Sequence, residues 1–320
     1  MPDETPSQEV DYSVVVPVYN SVESLAELYE RIHTVFSTTL EATFELILID
    51  DASPNTETWA TIQSLHETNP QVVGLQLMRN SGQQNATMCG LNEARGRRIV
   101  IMDDDLQHAP EDIPMLISEL EANDRLDVLI GVSKKREHSL FRNIGSYFFG
   151  KLMNVLIKKP QNIRFSSFIL LDRHVRDALV AYRGNKITTC SLICMNTSNI
   201  DNVVVRSEAR KYGRSGYSIY KLVALASNHV FNFSSMPLQL MSVVGAIASF
   251  LSMGYGAYAI YLNVTQQIGV PGFTTIVVLL SFYSGILMVS LGIIGQYMVR
   301  ILRATTYGSQ YVVRRSAKAD

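Results

Sequence analysis

Residues 222–299 contain no Asp, Glu, Lys or Arg. Charged side chains make up about a quarter of an ordinary soluble domain and sit almost entirely at its surface. Seventy-eight consecutive residues without one cannot cover a water-facing fold. Two apolar spans lie inside the stretch, residues 240–262 and 273–299. At a rise of about 1.5 Å per residue, either is long enough to cross a hydrocarbon layer of about 30 Å. The connector, residues 263–272, is short and carries Pro271-Gly272 as a turn signal. The pattern predicts a two-helix transmembrane hairpin.

Charge in the rest of the chain is segregated. Residues 1–133 hold 6 basic and 23 acidic side chains, a net of −17, whereas residues 134–221 hold 17 and 5, a net of +12. Arg206, Arg210, Lys211, Arg214 and Lys221 precede the first span, Arg300, Arg303, Arg314 and Arg315 follow the second, and no basic residue lies between. Positive charge is retained on the cytoplasmic side of membranes. The expectation is therefore a multi-pass protein of the inner or plasma membrane with both termini cytoplasmic. No apolar leader opens the sequence, in keeping with that placement. Gly245, Ala248, Ser249, Ser252 and Gly256 put small residues near i+4 spacing, which leaves room for helix contact in a homo-oligomer. The three cysteines suit a reducing compartment.

The first 133 residues alternate two patterns. Short apolar runs rich in β-branched residues occupy 12–18, 44–50, 72–78, 98–103 and 127–132, with helix-like stretches at 22–38, 56–68, 82–95 and 110–122. Near-continuous apolar strands alternating with helices predict an α/β fold with a parallel, doubly wound sheet. Such sheets bind ligands outside the carboxyl ends of their strands. Polar clusters fall at those ends: Tyr19-Asn20, then Asp50-Asp51-Ala52-Ser53, then Arg79 to Gln83, then Asp103-Asp104-Asp105. Three adjacent carboxylates repel one another unless something offsets their charge. A divalent cation bridging to a diphosphate does so with oxygen ligands. Residues 134–160 open with Lys134-Lys135-Arg136 and place aromatic and aliphatic residues near helical spacing, the pattern of a basic amphipathic helix on a membrane face.

Together these segments resemble the family 2 glycosyltransferases that load a sugar onto a polyprenyl phosphate, a group that includes dolichyl-phosphate mannose synthase-like and bacterial undecaprenyl-phosphate glycosyltransferase proteins. The resemblance is carried by Val14 to Asn20, Leu48 to Ser53, Arg79 to Ala86, Gly90 to Gly96, Met102 to Gln107 with Pro110-Glu111, Arg210 to Ser218, and Leu291 to Tyr297 with Arg300. It implies a GT-A fold, Rossmann-like with a mostly parallel sheet. The implied organisation is a flexible N-terminus (1–11), a cytoplasmic catalytic domain (12–215), a juxtamembrane amphipathic helix (216–239), two transmembrane helices (240–299) and a cytoplasmic tail (300–320).

The resemblance also implies roles. Pro17, Tyr19, Asn20, Asp50, Asp51, Arg79, Gln83, Asp103 and Asp104 would bind the donor. Asp103 and Asp105 would hold Mg²⁺ or Mn²⁺. Asp105, Gln107 and Arg210 would serve catalysis, and Lys135, Arg136, Arg210, Arg214 and Ser215 would bind the lipid phosphate. The expected partners are a nucleotide sugar, UDP-hexose first, polyprenyl phosphate and the bilayer, and not nucleic acid. The expected reaction is inverting hexose transfer to undecaprenyl phosphate, giving a lipid-linked sugar for cell-envelope glycan modification, whether of lipopolysaccharide or of cell wall.

Two positions depart from the family pattern. Ser167 stands where an acidic residue is sometimes assigned as base, and Arg97 stands where Asp usually follows the glycine. They support an alternative reading, a non-catalytic nucleotide-sugar-binding membrane scaffold. Base loss is chemically tolerable, because a phosphate monoester has its second pKa near 6 and is already largely dianionic at neutral pH.

Overall fold

Strands buried on both faces read as continuous apolar runs, and β1 (Tyr12–Val18) is buried at all seven positions. With β2 (Phe44–Asp50), β3 (Val72–Leu77) and β4 (Arg98–Ile101) it forms a parallel block, in which Val18 lies opposite Asp50 and Val15 opposite Ile101. Further along come β5 (Val128–Ser133), β6 (Phe168–Asp172), β7 (Ile200–Val205) and β8 (Val313–Ala317). The computed structural model describes residues 10–133, 163–182, 188–206, 272–306 and 311–318, together with scattered positions between 243 and 265. It divides into two units, 1–219 with 308–320 and 220–307.

The first unit is one eight-stranded sheet in the order β7-β5-β6-β4-β1-β2-β3-β8. Helices cover both faces, as the alternation predicts. On one face α1 (Glu23–Thr34), α2 (Thr56–Thr68) and α4 (Ile113–Glu121) bury Leu28, Ile62 and Leu116 against Val14 and Val16. On the other, α3 (Gln83–Glu93), α5 (Arg173–Ala181) and α6 (Thr189–Asn196) bury Cys89, Val175 and Leu192 with Val15 and Ile47. The split of Val14 and Val16 from Val15 is the two-residue period of a strand. A Cβ on Gly90 of α3 would come within 2.5 Å of Val15 Cγ1, so only glycine lets this helix lie so close to the sheet.

The sheet is mostly parallel, as expected: β1 to β5 all run one way, and β6 and β8 are the antiparallel additions. β6 runs antiparallel between β4 and β5, and β8 runs antiparallel to β3. The reason is topological. The chain leaves β5 at its carboxyl end, and β6 starts from that same rim, so it must run back antiparallel. β7 is parallel to β5, so Val205 also ends at that rim. β8 enters there too, where Met78 N–H donates to the Val312 carbonyl at 2.9 Å. The segments between β5 and β6 and between β7 and β8 therefore begin and end on one side of the sheet.

Neither α6 nor β7 has a clear sequence signal, and β8 has none. Val313–Ala317 reads Val-Arg-Arg-Ser-Ala and is mostly exposed, as suits an edge strand protected by charge. Ala317 packs near Gly74, while Trp59, Gln63 and His66 of α2 line a groove with Arg315. An ion pair joins Lys318 to Glu93.

In the second unit, α7 (Phe273–Thr306) begins where the sequence predicts and runs beyond 299. Its segment Phe282–Val299 is long and apolar enough to cross a membrane, the one such helix among the described residues. The described positions between 243 and 265 are helical, including Val243, Ile247, Phe250 and Tyr261. The first span of the expected hairpin is thus described only in part, and the predicted helices at 134–160 and 216–239 lie outside the described residues.

Ending the chain after residue 310 removes β8 and uncovers the β3 edge. The expected outcome is a Tm lowered by several degrees and a red-shifted emission from Trp59, the only tryptophan and now 7% exposed. Fluorescence and scanning calorimetry of the detergent-purified protein check both.

Candidate functional site

The loops that follow β1, β2, β3 and β4 meet at the carboxyl rim, and hydrogen bonds tie each to the next. Asn20, at φ 56°, donates its N–H to Ser53 Oγ at 2.9 Å, while its own Oδ1 accepts from Asn55 N–H. These bonds join the first two loops. Asp51 joins the second to the third: its two oxygens accept Ser81 N–H at 2.7 Å and Gly82 N–H at 2.8 Å. Gly82 adopts φ 87°, a region glycine enters freely, and so starts α3 with Gln83 turned to the fourth loop. Gln83 Nε2 donates to Asp103 Oδ1 at 2.5 Å. Ser167 Oγ, at the entrance to β6, donates to Asp103 Oδ2 at 2.5 Å.

The three aspartates after β4 occupy different surroundings. Asp105 Oδ1 accepts Gln107 N–H at 3.1 Å across Leu106, which is fully buried at φ 57°. Asp104 turns toward the first loop. Burial chiefly pushes its carboxyl up to about 6; bonds from Ser21 and Tyr19 N–H oppose that, and the charges of Asp103 and Asp105 add to it. Its Oδ2 is buried with no hydrogen-bond partner among the described residues. His108 stacks on Phe168 with ring centroids 5.2 Å apart, and burial lowers its pKa despite the aspartates nearby.

The expected site residues separate by exposure. Tyr19, Asn20, Arg79 and Gln83 are exposed, and Asp103, Asp104, Asp105 and Gln107 are half-buried. Pro17 is buried within β1 opposite Ile49, at a position that β4 does not reach, so its missing N–H leaves no ladder bond unmade. Asp50 is corrected from donor contact to brace. It is fully buried, and its oxygens accept Ser53 N–H at 2.9 Å and Gln76 Nε2 at 2.8 Å. Arg97 lies at the opposite end of β4 from Asp103, bonded through its backbone to Val10 and Arg173, so that departure does not touch the rim. Lys135, Arg136, Arg210, Arg214 and Ser215 lie outside the described residues. Ser53 belongs to the polar cluster read after β2, whereas Ser21, Gln76 and His108 carry no signal of their own beyond closeness to the rim motifs.

Among the described residues no three Asp, Glu, His or Cys side chains converge as a metal-binding group. A hard divalent ion on a diphosphate takes one or two carboxylates and completes its shell with phosphate oxygens and water. Asp103, which accepts from Gln83 and Ser167, and Asp105, which accepts from Gln107 N–H, fit such an ion.

Residues 13–179 match the glycosyl transferase family 2 domain, and the chain belongs to that family. It is a glycosyltransferase. Over 307 residues it is 28% identical to an uncharacterized glycosyltransferase of Synechocystis, covering 95% of each chain. Over the same length it is 29% identical to an undecaprenyl-phosphate 4-deoxy-4-formamido-L-arabinose transferase of Klebsiella pneumoniae, covering 95% of this chain and 92% of that one. Among solved structures it is similar to glucosyl-3-phosphoglycerate synthase of Mycobacterium tuberculosis (16% identity, TM-score 0.49, 69% and 78% covered). Another similar structure is a mannosyltransferase of Pyrobaculum calidifontis (16% identity, TM-score 0.47, 89% and 88% covered).

A carboxyl with a higher pKa folded than unfolded favours folding most below its ordinary value of 3.8, and that contribution disappears as pH rises through about 6. Asp104→Asn keeps an acceptor for Ser21 and Tyr19 while removing the charge. Without metal, wild type should gain stability between about pH 7 and pH 5 by a component that Asp104→Asn lacks, and the variant should be the more stable at pH 7. Thermal melts of both proteins in EDTA check this.

Proposed function

We propose that the chain transfers a hexose, with inversion, from a nucleotide sugar to polyprenyl phosphate at the cytoplasmic membrane face, and that the donor is UDP-linked. The observation that carries this reading is the carboxyl rim. It gathers the aspartates, and it is also where the chain departs toward and returns from the apolar segment. The relatives named as undecaprenyl-phosphate transferases support a lipid-phosphate acceptor over nearly the full chain length.

The domain boundaries predicted from sequence belong to the same proposal, with residues 12–215 catalytic, 216–239 juxtamembrane, and helices 240–262 and 273–299 spanning. The pairing of β8 with β3 supports two spans rather than one. A chain that leaves the sheet after Val205 and rejoins it at Val313 crosses a membrane an even number of times. If α7 crosses once, another crossing precedes it, and the helical positions between 243 and 265 supply it.

In the reaction, a phosphate oxygen of the lipid attacks the anomeric carbon as the bond from that carbon to the diphosphate oxygen breaks, and the nucleoside diphosphate departs. Asp103 and Asp105 would hold a divalent cation, which when bound neutralises charge on the leaving diphosphate. Tyr19, Asn20 and Arg79, exposed on the first and third loops, would contact the nucleotide; Asp51 fixes the loop that carries Arg79. Ser167 gives its hydroxyl hydrogen to Asp103 and is not arranged as a base. Lipid phosphate is dianionic near neutral pH, so the acceptor needs positioning rather than deprotonation. Arg210, Arg214 and Ser215, with Lys135 and Arg136, would position it, and Gln107 would serve beside Asp105.

The test uses detergent-purified protein with undecaprenyl phosphate, Mg²⁺ or Mn²⁺, and a panel of UDP- and GDP-sugars, reading sugar carried into the organic phase. One donor should be transferred, and Asp105→Asn should lower turnover by at least about 100-fold, the scale of losing one electrostatic element of a transition-state site. Absence of transfer from every donor, with nucleotide binding intact, would overturn the reading.

A further inference from the structure

We infer that Gln83 and Ser167 are positioning residues whose shared task is to fix the Asp103 carboxylate in orientation. The inference rests on the metal-assisted reading of the rim and deepens it. Two donors from opposite sides of the site hold Asp103, one on each oxygen: Gln83 Nε2 on Oδ1 and Ser167 Oγ on Oδ2, both at 2.5 Å. A bond to each oxygen fixes the carboxylate plane.

Asp103 precedes Asp104 and Asp105 in the chain, and an unrestrained carboxylate beside like charges turns away from them. The amide and the hydroxyl oppose that turn, one on each oxygen. Outer-shell hydrogen bonds of this kind orient metal ligands generally.

Both donors are themselves fixed. Gln83 follows Ser81 and Gly82, whose N–H groups Asp51 holds, so the second loop sets the reach of the third toward the fourth. Ser167 is held between Ser166, whose carbonyl accepts from Cys190 Sγ at 3.3 Å, and Phe168, which starts β6. The register of Ile169 opposite Ile101 brings the β6 entrance alongside the loop after β4. The position where the family pattern allows an acidic base is thus given over to orienting a neighbouring carboxylate.

The experiment titrates Mn²⁺ into the full-length protein, alone and with UDP, and reads free Mn²⁺ by electron paramagnetic resonance. Wild type, Gln83→Ala, Ser167→Ala and Ser167→Thr are compared, with thermal melts to verify folding. Each alanine variant should weaken Mn²⁺ by about 10–100-fold, the usual cost of losing an outer-shell partner. Ser167→Thr, which keeps the hydroxyl, should stay near wild type. Equal Mn²⁺ affinity in wild type and both alanine variants would overturn the inference and leave the metal site standing. Failure of wild type to bind Mn²⁺ with or without UDP would overturn both.

Discussion

Five aspartates crowd the carboxyl ends of two strands that flank β1, and much of the rim follows from offsetting their repulsion. Asp50 and Asp51 end β2, and Asp103 to Asp105 follow β4. Backbone N–H groups, two side-chain amides and a hydroxyl donate to them. Charge-assisted bonds of this type are about twice as strong as neutral ones. They hold the carboxylates in place. Asp104 shows the limit of this solution, because one of its oxygens is buried without a partner and burial raises its pKa.

The same bonds tie the loops into a chain of dependence. Asp51 sets Ser81 and Gly82, Gly82 starts α3, α3 presents Gln83, and Gln83 reaches Asp103. From the other side, antiparallel β6 delivers Ser167 to that same carboxylate. A sheet with only parallel strands would enter β6 from the opposite end, far from the rim. The mixed topology therefore has a functional consequence: it places a residue sixty-four positions away in sequence against a metal-ligand candidate.

Much of this was legible in the sequence. Strands buried on both faces announce themselves as unbroken apolar runs, and β1, β2 and β3 fall within a residue of the predicted limits. Asp103 and Asp105 were legible because an apolar strand that ends on carboxylates requires a reason. The brace formed by Asp50 was not, since Asp50 and Asp51 look alike in one dimension and differ only in which way the strand end turns them. Ser167 appeared as a substitution, but its partner depends on the register of β6 with β4, which no local pattern encodes. β8 was invisible because its stability comes from a neighbouring edge rather than from its own composition.

The edge that β8 covers also orders events during synthesis. A ribosome completes β3 long before β8, which lies beyond the entire apolar stretch. Until then β3 offers a row of unpaired backbone groups, the kind of edge that other chains can join. The bond from Met78 to Val312, one residue from Arg79, cannot form before that stretch has emerged. A nascent chain thus reaches its apolar segment with an unfinished sheet, and the carboxyl rim is completed only after that segment is made. Such a schedule keeps a fully assembled copy of the domain from existing before the apolar segment has been synthesised.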